Sequence, residues 1–147
     1  MMGVLAGVIV TAIVQSSSIT TGLCILLVQQ SILPATAAIA IVIGANIGTS
    51  ATALVASIKM QRTARRVAVA NLCFNTFGVV LFLPFLGWFA VKVVDFAGEP
   101  GMAVAWAQLI FNLVMTLAVL ILLRIFQRRV ELFDSTQTRP AVSMAHV

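Results

Sequence analysis

From Met1 to Ile58 the sequence carries no Asp, Glu, Lys or Arg, yet four consecutive polar residues, Gln15-Ser16-Ser17-Ser18, stand in the middle of that stretch. The flanks, Gly3 to Val14 and Ile19 to Val28, are almost wholly apolar. A side-chain amide and three hydroxyls in such surroundings need partners, because hydrocarbon supplies none. Either neighbouring helices satisfy them or a bound solute does. A fold for this chain has to bury these groups against protein or open them to a water-filled cavity.

The 147 residues have the length of one domain, but 61% are apolar and 9% charged, far from the balance of a soluble protein. The charges fall into clusters: Lys59, Arg62, Arg65 and Arg66; then Lys92, Asp95 and Glu99; then Arg124, Arg128, Arg129, Glu131, Asp134 and Arg139. Between them run apolar stretches of the roughly 20 residues that a bilayer core requires. An all-α integral membrane protein follows. The net charge of +5 is no nucleic-acid footprint, since the basic residues sit at segment ends, where cytoplasmic loops carry them. Cys24 and Cys73 lie inside apolar segments and are expected to be buried, inert thiols. No basic leader or small-residue cleavage site marks a signal peptide, and the abrupt apolar start leads us to expect further chain upstream.

Four apolar segments are read: Gly3 to Leu33, Ala35 to Ile58, Val67 to Val91 and Met102 to Ile125. The last three have about 24 residues, or about 36 Å of helix, and each can span. The first, about 31 residues, is long for one span and is interrupted by Gln15 to Gly22. Two half-length helices meeting there, a re-entrant hairpin, would explain both features; a single long tilted helix is the alternative. The second segment contains Gly44-Ala45-Asn46-Ile47-Gly48-Thr49-Ser50-Ala51-Thr52, whose glycines and Asn predict a helix broken near mid-membrane. Pro84 is expected to kink the third helix. Trp88 and Trp106 fit an interfacial aromatic belt. The positive-inside rule places Lys59 to Arg66 and Arg124 to Arg129 in the cytoplasm and Lys92 to Glu99 outside. Residues 1–130 form the membrane domain, and 131–147 are expected to be a polar, mobile cytoplasmic tail.

Gln15, Ser16, Ser17 and Ser18 can donate to an oxyanion, helped by helix N–H groups beside the break, or offer oxygens to a cation. Interhelical hydrogen bonding is the plainer alternative. Asn46, Thr49, Ser50 and Thr52, with nearby carbonyls, suit an alkali cation such as Na⁺; against this, Gly44 and Gly48 also form the GxxxG spacing of close helix packing. Gly3 and Gly7 share that spacing and are read as packing. Thr20, Thr21, Asn75 and Asn112 form a secondary set. Asn75 and Asn112 belong to an internal echo, in which Asn71 and Asn75, like Gln108 and Asn112, lie four apart and so on one helix face. No carboxylate lies in the apolar portion, the single histidine is His146, and no acid–base pair or metal-ligand cluster can be assembled. An enzyme is not expected.

Thr11-Ala12-Ile13-Val14-Gln15-Ser16-Ser17-Ser18, Gly44 to Thr52, Arg65-Arg66 and Phe74-Asn75 resemble, in type, order and approximate spacing, the sodium/phosphate cotransporter family (type II, with its bacterial relatives). The resemblance extends from about Gly3 to Leu123. It implies Na⁺-coupled symport of inorganic phosphate across the plasma (inner) membrane by a multi-pass protein, with Na⁺ the coupling ion and no further cofactor. It marks Gln15 to Ser18 for phosphate and sodium on a re-entrant hairpin, and Asn46, Thr49 and Ser50 on the neighbouring helix. Members carry two inverted repeats, each with its own Gln-Ser-Ser-Ser, whereas this sequence has one. It therefore resembles one half of an inverted-repeat transporter, needing a second repeat or another copy of the chain, or else a truncated form. A non-transporting membrane scaffold and a transporter of another oxyanion are the competing readings.

Overall fold

The computed structural model describes residues 1–137, with side chains to residue 125. Six helices follow one another: α1 (Met2–Val14), α2 (Ser17–Gln29), α3 (Ala35–Ser57), α4 (Arg62–Phe82), α5 (Leu86–Ala97) and α6 (Pro100–Gln137). By backbone contacts they divide into two units, Met1–Leu113 and Val114–Val147. The second continues α6 as an apolar helix past Leu117, Leu120 and Ile121, all at least half exposed, to Arg124. Residues 138–147, in the expected tail, lie outside the described residues.

The first apolar segment is two helices, not one. Each has 13 residues, about 20 Å of helix, well short of the bilayer core. The break is local and chemical. Gln15 adopts the left-handed conformation (φ 60°) and closes α1 by donating its N–H to the Thr11 carbonyl at 2.7 Å. Ser16 is extended, and its Oγ accepts from the Ile19 N–H, capping α2.

α3 is the axis of the first unit, touching α1, α2, α4 and α5. Its Ala38, Ile39, Val42, Ile43 and Ala45 are the most deeply buried apolar residues, together with Val79 of α4 and Ala103, Val104 and Ala107 of α6. Gly3 lies against Ala37 and Ala40, Val4 against Gly44, and Val8 and Thr11 against Gly48. Partner numbers rise together along this contact, so α1 and α3 run parallel. α2 joins them through the short turn at residues 30–34 and therefore doubles back beside α1.

The helix expected to be broken is continuous: α3 runs unbroken through Gly44 to Thr52. Two physical facts account for this. The glycines are contact points, since a Cβ at Gly44 would overlap the Val4 carbonyl and one at Gly48 would come within 2.7 Å of the Val8 carbonyl. Close approach of backbones gains dispersion contacts that offset the weak helix propensity of glycine, about 1 kcal/mol per residue. The polar side chains, in turn, bond back to carbonyls of their own helix and need no unwound backbone.

Beyond α3 the chain returns as α4, and the bend at Pro84 is present as a 3₁₀ turn, Leu83–Phe85, before α5. Phe82 and Phe89 meet edge-to-face at 5.0 Å, and Phe111 packs on Phe82 at 5.3 Å. Seven residues of straight helix would separate the first pair by about 10 Å along the axis, so the aromatic cluster requires the bend. Trp88 is exposed, and Trp106 stacks edge-on against Phe96. Cys24 is buried as expected; Cys73 is exposed on the outer face of α4, because the inner face is taken by residues that meet α3. Among the described residues, three stretches are long and apolar enough to cross a membrane: Ala35–Ser57, Arg62–Ala97 and Pro100–Ile125. Their outward residues, among them Val55, Phe77 and Leu81, are exposed large hydrophobics, as a lipid-facing surface requires.

Candidate functional site

The tip between α1 and α2 is held by hydroxyls that the opening motif does not include. Thr11 Oγ1 donates to Thr20 Oγ1 at 2.9 Å across the two helices, and Thr20 Oγ1 donates to the Ser16 carbonyl at 3.1 Å. Both threonines are buried. This relay fixes the reversal and uses up Thr20. Ser16 is likewise occupied as a cap. Gln15 and Ser18 are exposed and Ser17 half-buried. Ser17 and Ser18 open α2, so their N–H groups have no intrahelical acceptor and stand at the positive end of its dipole. That end of α2 can receive an anion.

The polar face of α3 has the opposite bias. Thr49 Oγ1 donates to the Ala45 carbonyl at 3.1 Å, Thr52 Oγ1 to the Thr49 carbonyl at 2.7 Å, and Ser50 Oγ to the Asn46 carbonyl at 2.9 Å. Asn46 Nδ2 donates to the Val42 and Ile43 carbonyls at 3.3 and 3.2 Å. Every one of these groups spends its protons on its own helix. What remains free on Asn46, Thr49 and Thr52 is acceptor oxygen, the chemistry of a hard cation rather than of an anion.

Ser50 differs from its neighbours. It is 1% exposed and accepts hydrogen bonds from Asn71 Nδ2, at 3.3 Å, and from Asn75 Nδ2. Asn75 also donates to Asn71 Oδ1 at 3.3 Å. With one donated and two accepted bonds the Ser50 hydroxyl is saturated, and it ties α4 to α3. Asn71 and Asn75 thus reach α3, Asn71 from an exposed position and Asn75 from a half-buried one. Of the other half of the echo, Asn112 is half-buried, and Gln108 Oε1 is buried without a hydrogen-bond partner among the described residues, as is Thr21 Oγ1.

The two sets meet at one place. Ala12 and Gln15 of α1 and Ala51, Thr52, Val55 and Ala56 of α3 line a single open groove. Gln15 and Thr52, 37 positions apart, are brought together there by the parallel α1–α3 contact. The structural role of Thr11 was missed in the sequence. The signal was present: Gly3, Gly7 and Thr11 recur every fourth residue, as do Ala40, Gly44 and Gly48, and these two small-residue ladders are what interlock.

The chain belongs to the Na⁺/Pi-cotransporter family, whose profile matches residues 1–97. It is 36% identical over 128 residues to the uncharacterized protein YqeW of Bacillus subtilis, a match covering 87% of this chain and 42% of that protein. It is 38% identical over 88 residues to sodium-dependent phosphate transport protein 2A of Rattus norvegicus, covering 56% of this chain and 14% of the relative. For sodium-dependent phosphate transport protein 2B of Homo sapiens the figures are 39% over 90 residues, 57% and 13%. The chain thus spans less than half the length of these relatives. No solved structure matches it. Family membership and the three long apolar helices make it a membrane protein.

Proposed function

We propose that this chain is one repeat of a sodium-coupled phosphate symporter of the cell membrane, completed by a second repeat or a further copy. The observation that carries the reading is the groove at which Gln15, from the anion-type tip, and Thr52, from the cation-type face, stand together. α1 and α2 form a re-entrant hairpin that opens outward, its tip level with the last turns of α3. Phosphate docks on Gln15, Ser17 and Ser18 and the first N–H groups of α2, with Ser16 shaping the tip. Na⁺ binds the acceptor oxygens of Asn46, Thr49 and Thr52 and offsets the anion's charge. Ser50, saturated by its hydrogen bonds, positions that face rather than binding the ion. Thr21, whose buried hydroxyl lacks a partner, and Asn75 and Asn112 form the outer circle of candidates, while Thr20 serves the tip's geometry. Alternating access then comes from motion of one repeat against the other.

Labelled phosphate uptake into proteoliposomes, with and without an inward Na⁺ gradient, tests this reading. It is run on the chain alone and on the chain with its second half. Gradient-dependent uptake by the completed protein is expected. Equal uptake under both conditions would rule out the coupling. Competition with sulfate or arsenate separates phosphate from other oxyanions. A second reading, a non-transporting scaffold, draws on the saturated hydrogen bonds of Ser50 and Thr20, which act as helix adhesive. It predicts that Gln15→Ala and Ser17→Ala alter assembly, whereas the transport reading predicts weaker phosphate binding at unchanged expression.

A further inference from the structure

Arg62, Arg65 and Arg66 stand on the first turns of α4 at spacings of three and four, and so share one helix face; all three are exposed. With Val69 and Ala70 they line a shallow groove whose upper part is cationic and whose lower part is apolar. None of the three makes a hydrogen bond or ion pair among the described residues. The reason lies in the sequence: within Met1–Leu113 the only carboxylates are Asp95 and Glu99. Glu99 sits at the other end of the unit, where it accepts from Gln29 at 3.3 Å. The 23 residues of α3 lead from that end to the arginines, about 35 Å at helical rise and several screening lengths in physiological salt. Three cations are therefore crowded on each other at a helix N-terminus, whose dipole also repels them, with no counter-charge in their own unit.

We propose that this groove is a binding site for an anionic phospholipid of the leaflet at the basic end of α3 and α4. The guanidinium groups take the headgroup phosphate, with forked N–H donors suited to its oxygens. The acyl chain follows Val69 and Ala70 down the helix. A free phosphate ion would use the arginines but leave that apolar floor bare, and a zwitterionic headgroup would leave the excess positive charge uncompensated. The site is separate from the Gln15–Thr52 groove and does not depend on the transport reading.

The test is native mass spectrometry of the full chain, released from detergent after incubation with equimolar phosphatidylglycerol and phosphatidylcholine. Preferential retention of phosphatidylglycerol is expected. Each of Arg62→Gln, Arg65→Gln and Arg66→Gln should lower that preference roughly fivefold, the effect of one basic residue near an anionic surface. Lys92→Gln, at the other charge cluster, should leave it unchanged, and the triple Arg→Lys variant, which keeps the charge but not the forked donors, should keep only part of it. Equal retention of both lipids by the unaltered chain would overturn the proposal. So would displacement of the lipid by millimolar inorganic phosphate. Should one of the Gln variants fold poorly, the other two still decide, because the readout is a ratio of two lipids on the same molecules.

Discussion

At the scale of single residues, the glycines separate into two kinds that look alike in the sequence. A Cβ at Gly7 or Gly44 would run into backbone of the facing helix, whereas one at Gly22 meets nothing within 4 Å. Gly44→Ala should therefore force α1 and α3 apart and lower the unfolding temperature in detergent markedly, by an effect of about 2–3 kcal/mol, as overpacking does. Gly22→Ala should leave stability unchanged or raise it by up to about 1 kcal/mol through helix propensity. Similar melting temperatures for the two variants would contradict the interlocked contact. Ser50 makes a second residue-scale prediction. Ser50→Ala removes the acceptor for both Asn71 and Asn75. A loss of about 0.5–1.5 kcal/mol is expected in the same measurement, because the link between α3 and α4 is lost while Asn75 keeps its bond to Asn71 and Asn71 is exposed.

At the scale of elements, the break between α1 and α2 rests on a strained residue and a cap. Gln15 has a positive φ, which costs a side-chain-bearing residue about 1 kcal/mol or more and which glycine adopts freely. Gln15→Gly should thus keep the fold at equal or greater stability, while losing phosphate affinity through removal of the amide. A stable Gln15→Gly variant with unaltered phosphate binding, read by equilibrium titration, would show that the amide has no part in the site. Ser16→Ala removes the cap on Ile19 and should cost about 0.5–2 kcal/mol. Its signature is faster amide exchange confined to the first turn of α2. α3 makes the complementary point. Its glycines and Asn carry the composition of a broken helix, yet it is continuous, because propensity is weak beside the packing of α1 into its small-residue face.

At the scale of the whole molecule, charge and hydropathy set the arrangement. The basic turn at residues 58–61 and the turn at Gly98 fall at opposite ends of α3, since the first follows its C-terminus and the second lies beside Gln29, just before its N-terminus. A cysteine at Met60→Cys should be labelled by a membrane-impermeant maleimide only from the cytoplasmic side, and one at Gly98→Cys only from outside, in a background lacking Cys24 and Cys73. Labelling of both from one side would overturn the multi-pass reading. Much of this was legible in advance: the membrane class, the long apolar helices, the interruption at Gln15 and the bend at Pro84. The Cys73 exposure and the continuity of α3 were not, because each depends on which face a neighbouring helix covers.

The sequence by itself determined that this protein lives in a bilayer as a set of helices. Hydrocarbon leaves the backbone no other partners, so the run lengths and charge clusters settle the matter locally. It also determined where the first segment breaks, through the polar residues that end one short helix and cap the next. Only the tertiary structure decided what the polar residues do. It turned Gly44 and Gly48 from a suspected break into a contact, and it gave Ser50 and Thr20 hydrogen-bond partners on neighbouring helices. It also brought Gln15 to Thr52. Those outcomes depend on the register between helices distant in the chain, and that register is set by the interlocking of two small-residue ladders rather than by any residue read alone.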